Sequence, residues 1–152
     1  MATTKATEAE TAARLRLAIV RTARRLRQEA TGGEGGTLSP TLTAALATVE
    51  MHGPLTPSEL ADRERVKRPT ATRTIANLEA AGLIERTADP VDGRACLVSA
   101  TGAGAALLKR LRGRKNAYIA KRLNHLDADE IETLERAAGI LERMFEDNGG
   151  RG

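Results

Sequence analysis

The chain has 152 residues, of which 41% are apolar, and 24 Lys and Arg against 20 Asp and Glu leave a formal net charge of +4. This length fits one domain, or one domain with an oligomerisation arm, and the apolar fraction is too high for a disordered tail. A single Cys excludes an internal disulfide, and the two aromatic residues, Tyr118 and Phe145, argue against recognition of single strands by base stacking.

Several classes of protein are disfavoured by what the sequence lacks. No apolar run approaches the roughly 20 residues of a membrane span, and no signal peptide is visible, so we expect a cytoplasmic protein with no membrane partner. Cys96, His52 and His125 are far apart in sequence, so we expect neither a metal nor a cofactor. No nucleophile with its base, no paired catalytic carboxylates and no phosphate-binding loop can be identified, and we predict no enzymatic activity.

The small net charge results from strongly basic and strongly acidic segments that nearly cancel. Residues 65–78 contain four basic and no acidic residues, and residues 109–122 contain seven basic and no acidic residues. Residues 127–147 contain eight acidic residues against two basic ones. Each run alone fits a solvated helix face, but together they favour a basic surface for a polyanion and a separate acidic arm. The run at 109–122 could attract an anionic ligand, flank DNA or be surface only.

The first half of the chain predicts two helices separated by a loop. From Ala12 to Ala30, apolar residues recur at spacings of 4, 4, 3 and 4 on one helix face. The glycines of 32–36 indicate a loop. Ser39-Pro40 is typical of an N-cap followed by Pro at the first helical position, and this second helix should end at His52.

A helix-turn-helix is predicted next. Residues 56–59 (Thr-Pro-Ser-Glu) form a capping box with Pro at its first helical position, which predicts a short helix over 57–63. A turn around 64–66 leads to a fourth helix that begins at Arg68-Pro69 and ends just before Gly82. Two short helices joined by a tight turn are the arrangement of a helix-turn-helix.

The fourth helix has the polar side chains that duplex recognition requires. Ala71, Ile75 and Leu78 define its buried side. The polar residues at its start and on its other faces are Lys67, Arg68, Thr70, Thr72, Arg73 and Asn77. Arg can contact guanine or phosphate, Asn can contact adenine, and a helix N-terminus favours phosphate. An ordinary amphipathic surface helix has the same pattern, but the neighbouring short helix and hairpin favour DNA binding.

A β-hairpin is predicted after this helix, from strands at Leu83–Thr87 and Ala95–Ser99 and a turn at Asp92-Gly93. Arg94 is a long cation suited to the negative potential of a narrow minor groove, and Asp92 would orient Arg94 or another nearby Arg. A charged solvent-exposed turn is the alternative. The predicted fold is therefore mainly α with a small β-hairpin wing (α+β): a winged helix-turn-helix lobe plus further helices.

Two helices should complete the chain. Thr101 can cap a long helix that reaches about Asn124, and residues 127–130 (Asp-Ala-Asp-Glu) resemble a second capping box. The last helix has apolar residues at spacings of 3, 4, 3 and 4, namely Ile131, Leu134, Ala138, Leu141 and Phe145. This seam suits a partner helix from the same chain or from another.

Five short motifs follow one another along the chain: Ser58-Glu59-Leu60-Ala61, Pro69-Thr70-Ala71-Thr72-Arg73, Leu78-Glu79-Ala80-Ala81-Gly82-Leu83-Ile84-Glu85-Arg86, Asp89-Pro90-Val91-Asp92-Gly93-Arg94 and Val98-Ser99-Ala100-Thr101-Gly102-Ala103-Gly104. In this order and spacing they resemble the MarR family of bacterial transcriptional regulators. The third motif followed by Asp-x-Arg is the most specific part, and the order of elements extends the match over about residues 10–147.

The resemblance implies a homodimer that binds a pseudo-palindromic double-stranded DNA operator. Residues 10–31 and 101–147 would form the helical dimerisation region, 38–100 the winged lobe, and 1–9 and 148–152 disordered ends. The dimerisation residues would include Leu15, Ile19, Ile131, Leu134, Leu141 and Phe145. Arg68, Thr70, Thr72 and Arg73 match the recognition-helix stretch of the family, and Asp92 and Arg94 match its wing pair.

Many members of this family are repressors released by a small anionic or phenolic ligand, bound in a cleft beside the DNA-binding lobe. His52 and Tyr118 are candidates for such a cleft, although a surface histidine at a helix end is the more ordinary interpretation of His52, and a half-buried tyrosine is common in a long helix. Cys96 is expected to be an inert packing residue, because reactivity needs exposure and a lowered pKa. The alternative function is a constitutive or architectural DNA-binding protein of the same fold with no effector.

Overall fold

A computed structural model describes residues 6–31 and 38–146 and confirms the predicted mainly α architecture with a small hairpin. Its elements are α1 (Glu8–Thr31), α2 (Pro40–His52), α3 (Pro57–Glu64), α4 (Arg68–Ala80), β1 (Ile84–Ala88), β2 (Cys96–Ala100), α5 (Gly102–Leu123) and α6 (Ala128–Phe145). The chain divides into two compact units, one ending at Lys115 and the other beginning at Asn116. No helix among the described residues has both the length and the apolarity that a membrane crossing requires.

Three predicted helix caps are confirmed in atomic detail. The Ser39 hydroxyl accepts the Leu42 N–H at 3.2 Å, and the Thr56 hydroxyl accepts the Glu59 N–H at 3.2 Å. At the start of α6 the Asp127 carboxylate accepts the Glu130 N–H at 2.8 Å, and the Glu130 carboxylate accepts the Asp127 N–H at 3.0 Å. Each cap satisfies N–H groups that have no partner inside the helix.

The first helix begins earlier than its apolar pattern predicts. Thr7 and Glu10 form a reciprocal capping box, in which each side chain accepts the backbone N–H of the other. The hydrogen bond from the Thr7 N–H holds the pKa of Glu10 below its ordinary value. The box starts α1 at Glu8, within the segment 1–9 that the sequence predicts as disordered. The predicted glycine loop at 32–36 and the ends at 1–5 and 148–152 lie outside the described residues.

The hairpin is antiparallel, and both strands start one residue later than predicted. Ile84 pairs with Ala100 and Ala88 pairs with Cys96. Leu83 is not part of the strand, because its N–H donates to the Leu78 carbonyl at 3.0 Å and closes the end of α4. Gly82 makes that closure possible with a φ of 73°, in the left-handed region that glycine adopts without steric cost.

The core of the first unit lies between α2, α3, α4, the hairpin and the start of α5. Its most completely buried large side chains are Leu46, Val49, Leu60, Ile75, Leu78 and Val98. Leu55 forms an isolated β-bridge with Val98 of β2. The Leu55 N–H donates to the Val98 carbonyl at 3.0 Å, and the Leu55 carbonyl accepts the Val98 N–H at 2.7 Å. This core fixes the orientation of α4 relative to the hairpin.

The start of α5 is tied directly to the end of α4. The Thr101 hydroxyl donates to the Gly82 carbonyl at 2.7 Å and accepts the Gly104 N–H at 3.1 Å. Gly104 then passes so close to the hairpin that a Cβ at this position would lie 2.2 Å from the Leu83 carbonyl oxygen. Only glycine therefore allows this approach.

We expect Gly104→Ala to destabilise the fold by about 1–3 kcal/mol, because the added methyl must displace backbone in a packed region. Gly113→Ala is the matched control in the same helix, since a Cβ there has nothing within 4 Å. Removing that mid-helix glycine should stabilise the protein by about 0.5–1 kcal/mol. Urea unfolding of both variants measures the two free energies, and equal effects of the same sign would contradict the close contact.

Candidate nucleic-acid interface

The geometry of the turn between α3 and α4 presents α4 at the surface. Arg65 adopts a left-handed conformation with φ of 53°, and the Val66 N–H donates to the Ala61 carbonyl at 3.0 Å. The chain therefore reverses within three residues and enters α4 at Arg68. This is the short helix, tight turn and second helix that the sequence predicts.

The buried and exposed faces of α4 are those that its helical periodicity predicts. Ala71, Ile75 and Leu78 are buried, together with Thr74, which packs inward as the one polar member of the buried side. The six predicted recognition residues are all exposed, namely Lys67, Arg68, Thr70, Thr72, Arg73 and Asn77. Ala76 shares this exposed surface, one turn beyond Thr72, and was not singled out from the sequence.

The exposed side of α4 is electrostatically suited to an anion. Lys67 is the N-cap residue and offers no side-chain hydrogen bond to the first N–H groups of the helix. The positive end of the helix dipole is therefore not neutralised by a capping carboxylate. Within the described residues, Lys67, Arg68 and Arg73 have no ion-pair partner, and no acidic residue occurs in the chain from 65 to 78. Their charge remains available to a ligand.

The tip of the hairpin is built from two side-chain turns. The Asp89 carboxylate accepts the Val91 N–H at 2.8 Å, and the Asp92 carboxylate accepts the Arg94 N–H at 3.1 Å. Asp92 thus contacts Arg94 through the backbone, whereas the exposed guanidinium has no partner among the described residues. Gly93 is outside the left-handed region expected for an Asp-Gly hairpin turn, because the loop is longer than two residues.

An ion pair joins the end of α4 to the hairpin. The Arg86 Nε donates to the Glu79 carboxylate at 2.5 Å, and both side chains are partly exposed. Arg86 and Glu79 both belong to the most specific motif of the sequence, but neither was predicted as a site residue. Their spacing of seven residues across a helix end and a strand start gives no periodic signal, so only the folded chain shows the contact.

The residues predicted for dimerisation lie on two helices whose apolar side chains are incompletely covered. Leu15 is half-buried and Ile19 is exposed in α1. None of the residues of α6, all of which the structure describes, is buried: Ile131 and Leu141 are half-buried, Leu134 is 49% exposed and Phe145 is 68% exposed. An amphipathic helix with its apolar stripe exposed to this degree is typical of a protein interface.

The residues predicted for an effector cleft lie in separate units. His52 is the exposed last residue of α2. Tyr118 lies in the second half of α5, where the Arg122 guanidinium is 4.9 Å from the centre of its ring. Cys96 is half-buried on the face of the hairpin that carries Val98. The cleft itself stays a prediction.

One small cavity lies inside the winged lobe, between α2, α3 and α4. Its volume is about 20 Å³, and Ala45, Leu60 and Ala71 contribute to its walls. A space of this size holds one water molecule and not an aromatic ring. An effector of phenolic size therefore requires a different site.

These observations define the class of protein: a winged helix-turn-helix protein with an exposed basic second helix and a cationic wing tip. A family model described as the MarR family matches residues 38–96. An HTH-type transcriptional regulator of Mycobacterium leprae is 36% identical over 141 residues, which cover 93% of this chain and 96% of that protein. The chain therefore belongs to the MarR family of transcriptional regulators, a family of DNA-binding regulators and not of enzymes.

Solved structures agree with this assignment. A transcriptional regulator from Pseudomonas aeruginosa superposes with a TM-score of 0.81 at 29% identity, and covers 93% of this chain and 99% of its own. FabT of Streptococcus pneumoniae, solved in complex with DNA, has a TM-score of 0.70 at 20% identity, with 90% and 97% of the two chains covered. At that identity FabT supports the fold alone.

Proposed function

We propose that this protein is a homodimeric, sequence-specific regulator that binds a pseudo-palindromic DNA operator and represses transcription until a small anionic or phenolic effector releases it. One observation carries the proposal: in the part of the chain that the structure describes, the exposed side of α4 and its N-cap have three cations without partners, and the wing tip of the same compact unit has another in Arg94. Such a surface supplies both the charge and the donors that duplex DNA requires.

In this proposal α4 enters the major groove. Arg73 and Asn77 lie on successive turns of the exposed face and can reach base edges, whereas Lys67 and Arg68 at the start of the helix contact phosphate. Thr70 and Thr72 have the reach for a phosphate or a thymine methyl group. The wing places Arg94 in the neighbouring minor groove, where a narrow A·T-rich segment attracts a guanidinium.

The homodimer is proposed from the apolar stripes of α1 and α6. Residues 10–31 and 101–147 would form the dimerisation region and 38–100 the DNA-binding lobe. A two-fold symmetric pair of lobes would place two copies of α4 in successive major grooves, roughly 34–36 Å apart. An operator with two inverted half-sites follows from that symmetry.

Effector release requires a ligand that binds the DNA-incompetent state more tightly than the DNA-competent state. His52 and Tyr118 are the proposed contacts, and the basic residues of 109–122 other than Arg112, which is paired with Glu50, would attract an anion. The small cavity of the winged lobe is excluded by its size as a site for a phenolic molecule. A regulator without an effector is the alternative.

Selection of bound duplexes from a random pool tests this proposal directly. We expect enrichment of an inverted repeat, and we expect small anionic aromatics to lower the affinity for it. An enriched repeat with no response to any ligand would favour the constitutive alternative. Recovery of sequences with no common motif would overturn sequence-specific binding.

Arg94→Ala should weaken binding to the selected duplex about tenfold. If the guanidinium contacts phosphate, the slope of log affinity against log salt concentration should also become shallower by about 0.9. Arg94→Lys is the control, because it retains the charge and the salt slope while losing the planar fork. Fluorescence anisotropy titrations at several salt concentrations measure both quantities, and unchanged affinity and slope would remove the wing from the interface.

A further inference from the structure

We infer that the Glu79–Arg86 ion pair is a positioning device that holds the wing at a fixed angle to α4, so that both reach DNA together. We call this pair the helix–wing clasp. The inference rests on the proposed function, and it assigns a role to two residues of the most specific motif that the DNA contacts leave unexplained. Neither residue needs to touch DNA for this role.

The register of the hairpin places Arg86 on the correct face. Arg86 pairs with Val98 across the ladder, and it is two residues from Ile84, so all three side chains lie on one face of the hairpin. Ile84 and Val98 are buried against the core, whereas Arg86, which lies beside Val98 and two residues after Ile84, is exposed. The stem of Arg86 can therefore follow the apolar face while its guanidinium reaches α4.

Glu79 lies near the C-terminal end of α4, where its carboxylate meets the guanidinium of Arg86. It follows Leu78, which is fully buried, and its carbonyl accepts the Gly82 N–H at 2.9 Å in the turn that ends α4. Glu79 is also the first acidic residue after the acid-free stretch of 65–78. An unpaired carboxylate here would repel a nearby phosphate backbone, and the guanidinium of Arg86 neutralises it.

The clasp connects α4 to the part of β1 that the core does not cover. Backbone hydrogen bonds hold the hairpin through Leu55, which pairs with Val98, and through Thr101, whose N–H donates to the Leu83 carbonyl. The residues of β1 after Ile84, in contrast, are all exposed. A two-stranded ribbon beyond such bonds has little to restrain its bending. Arg86 lies directly across the ladder from Val98, so the clasp ties the β1 side of the hairpin to α4 at the level where the Leu55 hydrogen bonds hold the β2 side. It is therefore placed to restrain bending of the part of the ribbon that extends from this level to the wing tip.

An exposed ion pair contributes little to folding, so its effect should appear in DNA binding and not in unfolding. Glu79→Gln/Arg86→Gln removes the clasp without changing net charge. Glu50→Gln/Arg112→Gln is the matched control, because that pair is also exposed and joins α2 to α5 with an N–O distance of 2.9 Å. Both double variants should unfold within about one degree or two of the parent.

The decisive measurement is the coupling between the clasp and the wing. In the parent, Arg94→Ala is expected to weaken binding to the selected duplex about tenfold. Without the clasp, the wing is no longer held at a fixed angle to α4, and Arg94→Ala should lower the affinity only about two- to threefold. In the Glu50/Arg112 control background it should cost about tenfold again. The charge-swapped Glu79→Arg/Arg86→Glu variant should restore most of the coupling.

The outcomes separate the two proposals. A parent that does not prefer the selected duplex to a random one overturns the proposed function and the clasp together. A parent that does prefer it, but loses the same factor on Arg94→Ala with and without Glu79 and Arg86, overturns only the clasp. The clasp is also wrong if Arg86→Gln alone lowers the salt slope by about 0.9, since Arg86 would then contact phosphate itself.

Discussion

Leu141→Asp should convert the protein from a dimer to a monomer and abolish tight operator binding. Leu141 is half-buried within the apolar stripe of α6, and a dimer would enclose two symmetric copies of it. A carboxylate there would lose hydration without gaining a partner, at a cost of several kcal/mol for each copy. Because a monomer offers one lobe, affinity for a two-site operator should fall by about 100-fold or more.

The matched control is Gly139→Asp, which adds the same carboxylate on the opposite side of α6. A Cβ at Gly139 would meet only the end of the Arg143 side chain, at 3.5 Å. Light scattering coupled to size exclusion should show a dimer for Gly139→Asp and a monomer for Leu141→Asp. Circular dichroism checks that both retain their helices. A folded Leu141→Asp protein that remains dimeric would show that the seam of α6 is not the interface.

Arg73→Ala should weaken binding to the selected duplex by about 10- to 100-fold and to random duplex much less. Arg73 is exposed on the middle of α4, where a guanidinium can make two hydrogen bonds to a guanine edge worth about 1–3 kcal/mol. Loss of one phosphate contact, in contrast, would lower both affinities by similar factors. The ratio of the two dissociation constants therefore distinguishes base recognition from charge.

Arg73→Lys sharpens this test because it retains the positive charge but not the planar fork of donors. We expect Arg73→Lys to bind random duplex like the parent while losing most of the discrimination. Thr70→Ala serves as a neighbouring comparison on the same exposed side, with a smaller loss. If all three variants lose specific and non-specific binding in equal proportion, α4 does not read bases through Arg73.

Local signals account for what could be predicted of the fold. Ser39, Thr56 and Asp127 each precede a helix with a partner three residues later, and a cap of this kind depends only on residues close in sequence. Gly82 similarly marks the end of α4 because few other residues adopt its φ. The face of α4 followed from helical periodicity, and its buried and exposed residues agree with it.

Contacts between distant segments account for most of what could not be predicted. The pairing of Leu55 with Val98 joins residues 43 positions apart, and neither lies in a pattern that indicates the other. The Glu79–Arg86 contact depends on the angle between a helix and a strand, which periodicity does not specify. The Thr7–Glu10 box is a different case: it is a local signal that was present in the sequence, in a polar segment that the apolar pattern left outside the helix.

The sequence also does not specify which helix covers the apolar stripe of α6. The spacing of Ile131, Leu134 and Leu141 predicts a helix with one apolar face, and α6 has that face. The same spacing suits a helix of the same chain or of another chain. Exposure of the stripe in a single chain favours an intermolecular partner, and the Leu141→Asp experiment decides it.

The Thr101 hydroxyl has a mechanical consequence. The hydroxyl donates to the Gly82 carbonyl and accepts the Gly104 N–H, and Gly104 packs against Leu83. The first turn of α5 is therefore held directly against the end of α4. These contacts make the connection between α4 and α5 a rigid one and not a hinge. A rotation of the first half of α5 would therefore turn the end of α4 with it, and the displacement along α4 would grow with distance from this joint.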